Sequence, residues 1–412
     1  MSKPLRSSVF RRLLAAYSLD ELGNWLGEVA LALIVYDRTG SPIVTAGLFV
    51  AARFLPALGA PPLLARLEAA RRADLLRLLF AAEAAAFAVL AVCAQAALIP
   101  FVIAVAVIDG TLARAARATI RAGTAAEFPD PEDLRRANSA LNVSFTANAA
   151  LGPAIAGVVV AALGTAAALW LDAASFLGVA LIVWRLRHVD PTATGDEAAA
   201  SWRARLAAGL RYVRQQRVVG GLLAGQAAAV LCFSIVVPIE VVFVKSTLGG
   251  GAAGYGALLA SWGAGMVLGA GVFALAKRAP AAFLIVGSTL LVGISYLLIG
   301  VSGSLVAACL ASVVGGLGNG TQWVAVLNAL QQATAPAMQL RVMALYESVV
   351  TAMPAVGFAV GGVIAAVLSP RAAYMAAAGG VLATLLIAGA AVRHARRRQP
   401  PLRRAITASI RP

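Results

Sequence analysis

Twelve long apolar runs in succession constrain this chain more than any other feature. A run of about 20 apolar residues, wound as a helix, spans the roughly 30 Å hydrocarbon layer of a bilayer. The runs fall at about 13–36, 43–65, 75–94, 98–120, 138–162, 165–187, 219–243, 253–276, 281–301, 304–327, 342–367 and 371–392. With 61% of its 412 residues hydrophobic and 13% charged, the chain departs from the roughly 45–50% and 25% of soluble domains. The expected class is all-α integral membrane, with twelve transmembrane helices.

Basic residues give the direction of the spans. With the N-terminus inside, twenty-nine Lys and Arg fall in or beside the inner segments, and only Arg38, Lys245 and Arg371 fall outside. That bias places both termini in the cytoplasm of a cell whose inner membrane the chain crosses, and it requires an even number of spans. The N-terminal "MSKPLRSSVFRR" has the charge of a signal peptide. The stretch after it is too long, carries acids and ends in "YDRTGSP" with no small-residue cleavage site, so it is expected to stay as the first span.

The formal charge of +16 sits in short segments between spans, with no soluble basic face, so no nucleic-acid partner is expected. Cys93, Cys232 and Cys309 lie inside apolar runs, and His188 and His394 stand beside arginines at span ends. No metal and no cofactor is expected. A membrane enzyme would need a nucleophile, a base or metal ligands gathered at one depth; the spacing offers none, and no enzyme is expected.

A polar stretch near 188–217 begins as a linker and becomes a basic amphipathic segment suited to the lipid surface. It divides the chain into an N-terminal six-helix half (1–187), a cytoplasmic linker (188–217) and a C-terminal six-helix half with a basic tail (218–412). A weak repeat at an offset of 204 residues pairs Ala140-Leu141 with Ala344-Leu345 and Gly157 with Gly361. Two such halves meeting around a midplane cavity are a recurring transporter plan.

Charges inside the spans are the next clue, because each buried carboxylate costs roughly 2.5–3.5 kcal/mol at a helix centre on insertion scales. Glu28 and Asp109 lie nearest the midplane, with Arg53 at mid-depth in span two as the counter-charge for one of them. These three are the proton-coupling candidates. Asp20 and Glu21 are expected to reach the inner interface with Arg11 and Arg12. Glu83 has Arg77 six residues away, an imperfect spacing that leaves its partner open. Glu347 has Arg341 within two turns. Amide and aromatic groups mark a substrate cavity: Asn24 and Trp25 in span one, Asn142 and Asn148 in span five, and Asn319, Gln322 and Trp323 in span ten.

Segments along nearly the whole chain resemble the major facilitator superfamily, and within it the macrolide-efflux and siderophore-exporter branch. "LGNWLGEVALALIVYDRTGSP" resembles that branch's first span, with Gly23-Asn24 where Gly-Asp is usual. "ARFLPALGAPPL", "RAARATI", "EDLRRANSALN", "LDAASF", "GAAGYGALL", "GNGTQWVAVLNALQQ" and "LRVMALYES" resemble later landmarks. "LGPAIAG", holding Gly152, Pro153 and Gly157, resembles the superfamily's antiporter signature, and Gly357 and Gly361-Gly362 look like its counterpart in the second half.

The resemblance implies the major facilitator fold, with two pseudo-symmetric halves, and gating or packing roles for Gly152, Pro153, Gly157, Arg117, Arg341 and Glu347. One departure is the loop between spans two and three. There "LLARLEAARRADLLRL" lacks the Gly and Asp-Arg of the superfamily's usual latch. The expected function is proton-coupled export, by a monomer in contact with membrane lipids, of a small amphipathic compound such as a drug, siderophore or secondary metabolite. Importers, lipid or lysolipid flippases and transport-inactive sensors or scaffolds on the same frame are the alternatives.

Overall fold

The computed structural model describes residues 3–66, 72–95, 98–184, 210–276, 279–335 and 338–398. All regular structure among them is helical, most of it in twelve spanning segments. Their bounds are α1 (Ser8–Thr39), α2 (Pro42–Arg66), α3 (Arg72–Gln95), α4 (Ile99–Glu127), α5 (Pro131–Leu163) and α6 (Thr165–Trp184), then α7 (Arg217–Thr247), α8 (Ala252–Leu275), α9 (Ala281–Val301), α10 (Leu305–Ala333), α11 (Gln339–Val367) and α12 (Pro370–Arg398). Nine are long and apolar enough by themselves to cross a membrane, and α5 adds a tenth as a bent pair. Every 18-residue window of α1 holds at least three charged residues, which keeps it out of that count.

The helices outrun the apolar runs because hydropathy marks the lipid-buried length, not the helix end. α4 continues through Arg121 and Thr124 to Glu127. α5 starts seven residues before its apolar run, where the Asp130 side chain accepts from the Asp133 N–H at 3.0 Å and Pro131 opens the first turn. α1 is capped by Ser7, which accepts from the Phe10 N–H, and ends at Gly40 in the left-handed region (φ 59°).

Two helices are not regular. Pro153 has no N–H for the Ala149 carbonyl, and α5 bends by 42° between Ala149 and Leu151. In α7 the winding tightens over Val237–Ile239 around Pro238 and loosens to a π turn over Phe243–Thr247. The helix remains one span, as the apolar run at 219–243 predicts, with the irregular winding inside it.

Helices α1–α6 pack among themselves, as do α7–α12, and the two groups meet through α5 on α8 and α2 on α11. Close approach inside the second group uses small residues: a side chain at Gly265 or Gly269 of α8 would strike the α10 backbone, and Thr321 donates to the Gly269 carbonyl at 2.9 Å. Large apolar side chains such as Leu181, Phe283 and Leu310 stand exposed on the outside. In water such a surface would drive association; in lipid it is solvated. The interrupted latch and most of the 188–217 linker lie outside the described residues.

Candidate functional site

The seam between the halves is tight at the end remote from the termini, where α1 passes into α2 and α7 into α8. Asp37 at the end of α1 pairs with Lys245 at the end of α7. Phe49 of α2 meets Phe358 of α11 edge to face at 5.7 Å. A side chain at Gly157 of α5 would strike the Gly256 backbone of α8, and one at Gly362 of α11 would strike Ala46 of α2. These two glycine contacts relate α5–α8 to α11–α2 by the approximate symmetry of the halves. Gly357 and Gly361 instead seat α11 on α7.

One turn deeper than Phe49, Arg53 makes a forked contact with Glu28, from Nη2 to the two carboxylate oxygens at 2.7 and 2.6 Å. Its guanidinium also lies 5.7 Å from the Trp25 ring centre. Arg114 donates to the Arg53 carbonyl at 2.8 Å, fixing the backbone beneath the pair. Trp25 in turn fills the space over Gly152 of α5. At mid-span these charges are not sealed: the Arg53 side chain is 44% exposed and that of Glu28 26%. A charged pair held half-open at that depth borders a gap that water can enter.

Asp109 does not join them. It lies inside the first group with Asp20, Glu83 and Asp172, one carboxylate from each of α1, α3, α4 and α6. Asp20 and Glu21 make no ion pair with Arg11 or Arg12 among the described residues. They turn to Arg117 of α4, whose Nη1 lies 2.8 Å from Glu21 Oε1 and 3.8 Å from Asp20 Oδ2. The sequence expectation failed because it paired charges along the chain, while α4 runs alongside α1 and brings Arg117 to the same depth. Glu83 lies against Asp20 and not in an ion pair with Arg77, which bonds Asp74 and the Trp184 carbonyl. Asp172 fits because α1 carries no side chain at Gly23 and Gly27, where its carboxyl and the Phe87 and Phe176 rings sit.

The remaining candidates divide. Asn24 is committed to Asp20, donating to its carbonyl at 2.6 Å and to its Oδ1 at 3.1 Å. Gln322 is buried and donates to Gln226 of α7 at 2.9 Å. Asn148 donates to the Ser144 carbonyl at 3.0 Å, and Ser144 meets Ser18 at 2.5 Å in a groove of about 480 Å³ between α1 and α5. Asn142 is exposed, Asn319 half-buried, and Trp323 packs edge-on to Tyr346 at 6.3 Å. Pro153 marks the bend of α5. Arg341 is exposed beside Met338, Glu347 is exposed, and no ion pair joins the two among the described residues. Larger by volume is a groove of about 670 Å³ at the outer edge of α1 and α6, lined by Arg11, Arg12 and Trp184, away from all these acids. Among the described residues no group of three or more His, Cys, Asp or Glu is placed to hold a metal ion.

Twelve spanning helices in two six-helix groups, a seam tight at one end and a charged pair half-open at mid-span define a membrane transporter of the major facilitator type. A family profile described as transmembrane secretion effector matches residues 2–404, and the chain belongs to that family. A search of curated protein sequences finds no significant match. Many solved structures share the fold, among them three transporters. A bacterial homologue of the iron transporter ferroportin, inward-facing, has a TM-score of 0.70 at 13% identity over 92% of this chain and 97% of that one. A bacterial homologue of the human lysosomal transporter Spinster, inward-facing and occupied, has 0.69 at 15% over 97% and 100%. A variant of the nucleoside transporter NupG has 0.67 at 14% over 93% and 99%.

Proposed function

We propose that the chain is a proton-coupled exporter of a small amphipathic compound, set in the cytoplasmic membrane with both termini inside. The observation that carries this reading is the Glu28–Arg53 pair, half-open at mid-span beneath a seam closed at the remote end. With the termini cytoplasmic, as the arginine bias implies, the gap opens to the cytoplasm and takes its cargo from there. Closure below and parting of the seam above release that cargo outside. The secretion in the family's description and the bent Gly152-Pro153 segment of α5 support this direction.

Trp25, Asn319 and Trp323 supply the amphipathic lining, with Asn142 and Asn148 nearer the rim. Asn24 and Gln322 act one step back, by positioning Asp20 and holding α7 to α10. Energy comes from protons that bind an acid of the first half, Glu28 or Asp109, and at Glu28 the Arg53 guanidinium competes with the proton. Gly157 and Pro153 let α5 rock, and Arg117 ties α1 to α4.

The test is efflux of a panel of lipophilic dyes and antibiotics from pump-deficient cells, for the full chain and for Glu28→Gln and Asp109→Asn. Efflux of at least one compound that collapses with a protonophore and falls at least tenfold in one of the two variants is expected. Folded protein that moves no compound outward, or efflux indifferent to the protonophore, refutes the reading.

A further inference from the structure

We propose that Asp20 of α1 and Glu83 of α3 form a proton-binding site, sharing one proton between facing carboxyl groups, with Asp109 of α4 and Asp172 of α6 as its second layer. The site rests on its own geometry; only the use of its proton rests on the export reading above.

The hydrogen bonds at this junction do not close. Asp20 has no exposed surface; its Oδ1 accepts from Asn24, and its Oδ2 accepts nothing, with Arg117 standing off at 3.8 Å. Glu83 has no exposed surface either, and neither of its oxygens meets a donor among the described residues. The same is true of one oxygen of Asp109 and of one of Asp172, whose other oxygen accepts from Ser175 at 3.1 Å. Asp20 and Glu83 are neighbours where α1 meets α3, each presenting an oxygen without a donor. With both ionised they have no hydrogen to place between them. One proton on either supplies the missing donor and makes an O–H···O⁻ bond of the strong, charge-assisted kind.

Charge leads to the same place. Arg117 is the cation that faces Asp20, Glu83 and Asp109, and its hydrogen bond goes to Glu21. Arg121, bonded to Tyr17, and Arg114 lie on the Glu21 side of α4, and Arg53 is taken by Glu28. Three of the four buried carboxyls thus share part of one guanidinium. An uncompensated ion in such surroundings costs several kcal/mol, and a bound proton removes that cost. A metal ion would remove it too, but the carboxyls do not converge as metal ligands do. The ligand the junction fits is the proton.

Arg117 makes the site useful. When the shared proton leaves for water, the carboxylate left behind draws the guanidinium from Glu21, at 2.8 Å, toward Asp20, now at 3.8 Å. Glu21 and Glu28 lie seven residues apart on one face of α1, so loss of the proton is felt on the face that holds the Glu28–Arg53 pair.

The experiment is pH-stepped infrared difference spectroscopy on the purified full chain in detergent, reading the C=O stretch of protonated carboxyls. The panel is wild type, Glu83→Gln, Asp20→Asn, Asp109→Asn and Glu21→Gln. A buried-carboxyl band that appears on acidification, is lost in Glu83→Gln and Asp20→Asn and persists in Glu21→Gln is expected. Glu83→Gln keeps the shape of the side chain and offers Asp20 an N–H donor. It carries the test if Asp20→Asn fails to fold, which gel filtration reads. Absence of the band in wild type, or its survival in folded Glu83→Gln, overturns the proposal, including the case where Asp109→Asn alone removes it. The band behaving as expected while efflux ignores a protonophore leaves the site standing and brings down the export reading instead. Protonophore-sensitive efflux that is unchanged in Glu83→Gln overturns the site's part in coupling.

Discussion

The seam between the halves should be adjustable one methyl group at a time, and Gly157→Ala is the sharpest case. The added Cβ would overlap Gly256 Cα and lie 3.1 and 3.2 Å from that residue's carbonyl carbon and nitrogen. The optimum separation for such atoms is about 3.5–4.0 Å, so α5 and α8 must part by about 1.5 Å or more. The obstructing atoms are backbone, with no rotamer to change. Overpacking of this kind costs about 1–3 kcal/mol. The cost falls on the conformer closed at this end and not on one where the helices have separated. The equilibrium therefore moves about 5–150-fold toward opening at the remote face. Spin labels at Arg38→Cys and Ser246→Cys, two exposed positions flanking the Asp37–Lys245 pair, read the separation after Cys93, Cys232 and Cys309 are replaced. A longer distance should appear or grow in Gly157→Ala. Gly271→Ala, on the same α8 at a position with nothing within 4 Å, should leave the distribution as in wild type. Identical distributions in Gly157→Ala and wild type, from folded protein, would refute a seam built on the Gly157–Gly256 contact.

Two further outcomes follow from side chains. Asp37→Asn removes an ion pair across the seam that is partly exposed, worth about 0.2–1 kcal/mol; the same label pair should shift the same way by no more than about fivefold, and high salt should erase the difference from wild type. Gln226→Leu strands the buried Gln322 amide at a cost of about 1–3 kcal/mol, so melting in detergent should fall, while Gln226→Leu with Gln322→Leu should recover most of the loss. A double variant no better than the single would show that the amide pair does not hold α7 to α10.

The twelve spans were legible because lipid burial demands continuous apolar runs, and α9 appears at the expected 281–301. What hydropathy cannot register is winding. Pro238 and Pro153 were visible in the sequence, but only the structure shows that α7 tightens and loosens around one and that α5 bends four residues before the other. Glu28 and Arg53 were matched by depth alone, and they do pair. Depth says nothing about azimuth: Asp109 turns into the first group, beside Asp172 and Glu83, the acid whose partner the spacing left open. The small residues Gly23 and Gly27 were the available signal. Spaced four apart beside Asp20 and Asn24, they mark the face of α1 that another helix approaches.

That azimuth explains how one span tolerates three acids. At about 100° per residue, Asp20, Gly23, Asn24 and Gly27 fall along one face of α1, and Glu21, Trp25 and Glu28 along the neighbouring one. The first face turns into the half and meets Glu83 and Asp172; the second turns toward the gap and meets Arg53. α1 is therefore the wall between a sealed set of carboxyls and a half-open charged pair. Arg117 touches both faces at their shared edge, through Asp20 and Glu21. A change of charge on the sealed side needs no long relay to reach the open side: a small turn or slide of this one helix against α4 exchanges the partners of Arg117 and carries Glu28 with it. The insertion cost of the acids in α1 is offset within the fold by Arg117 and Arg53.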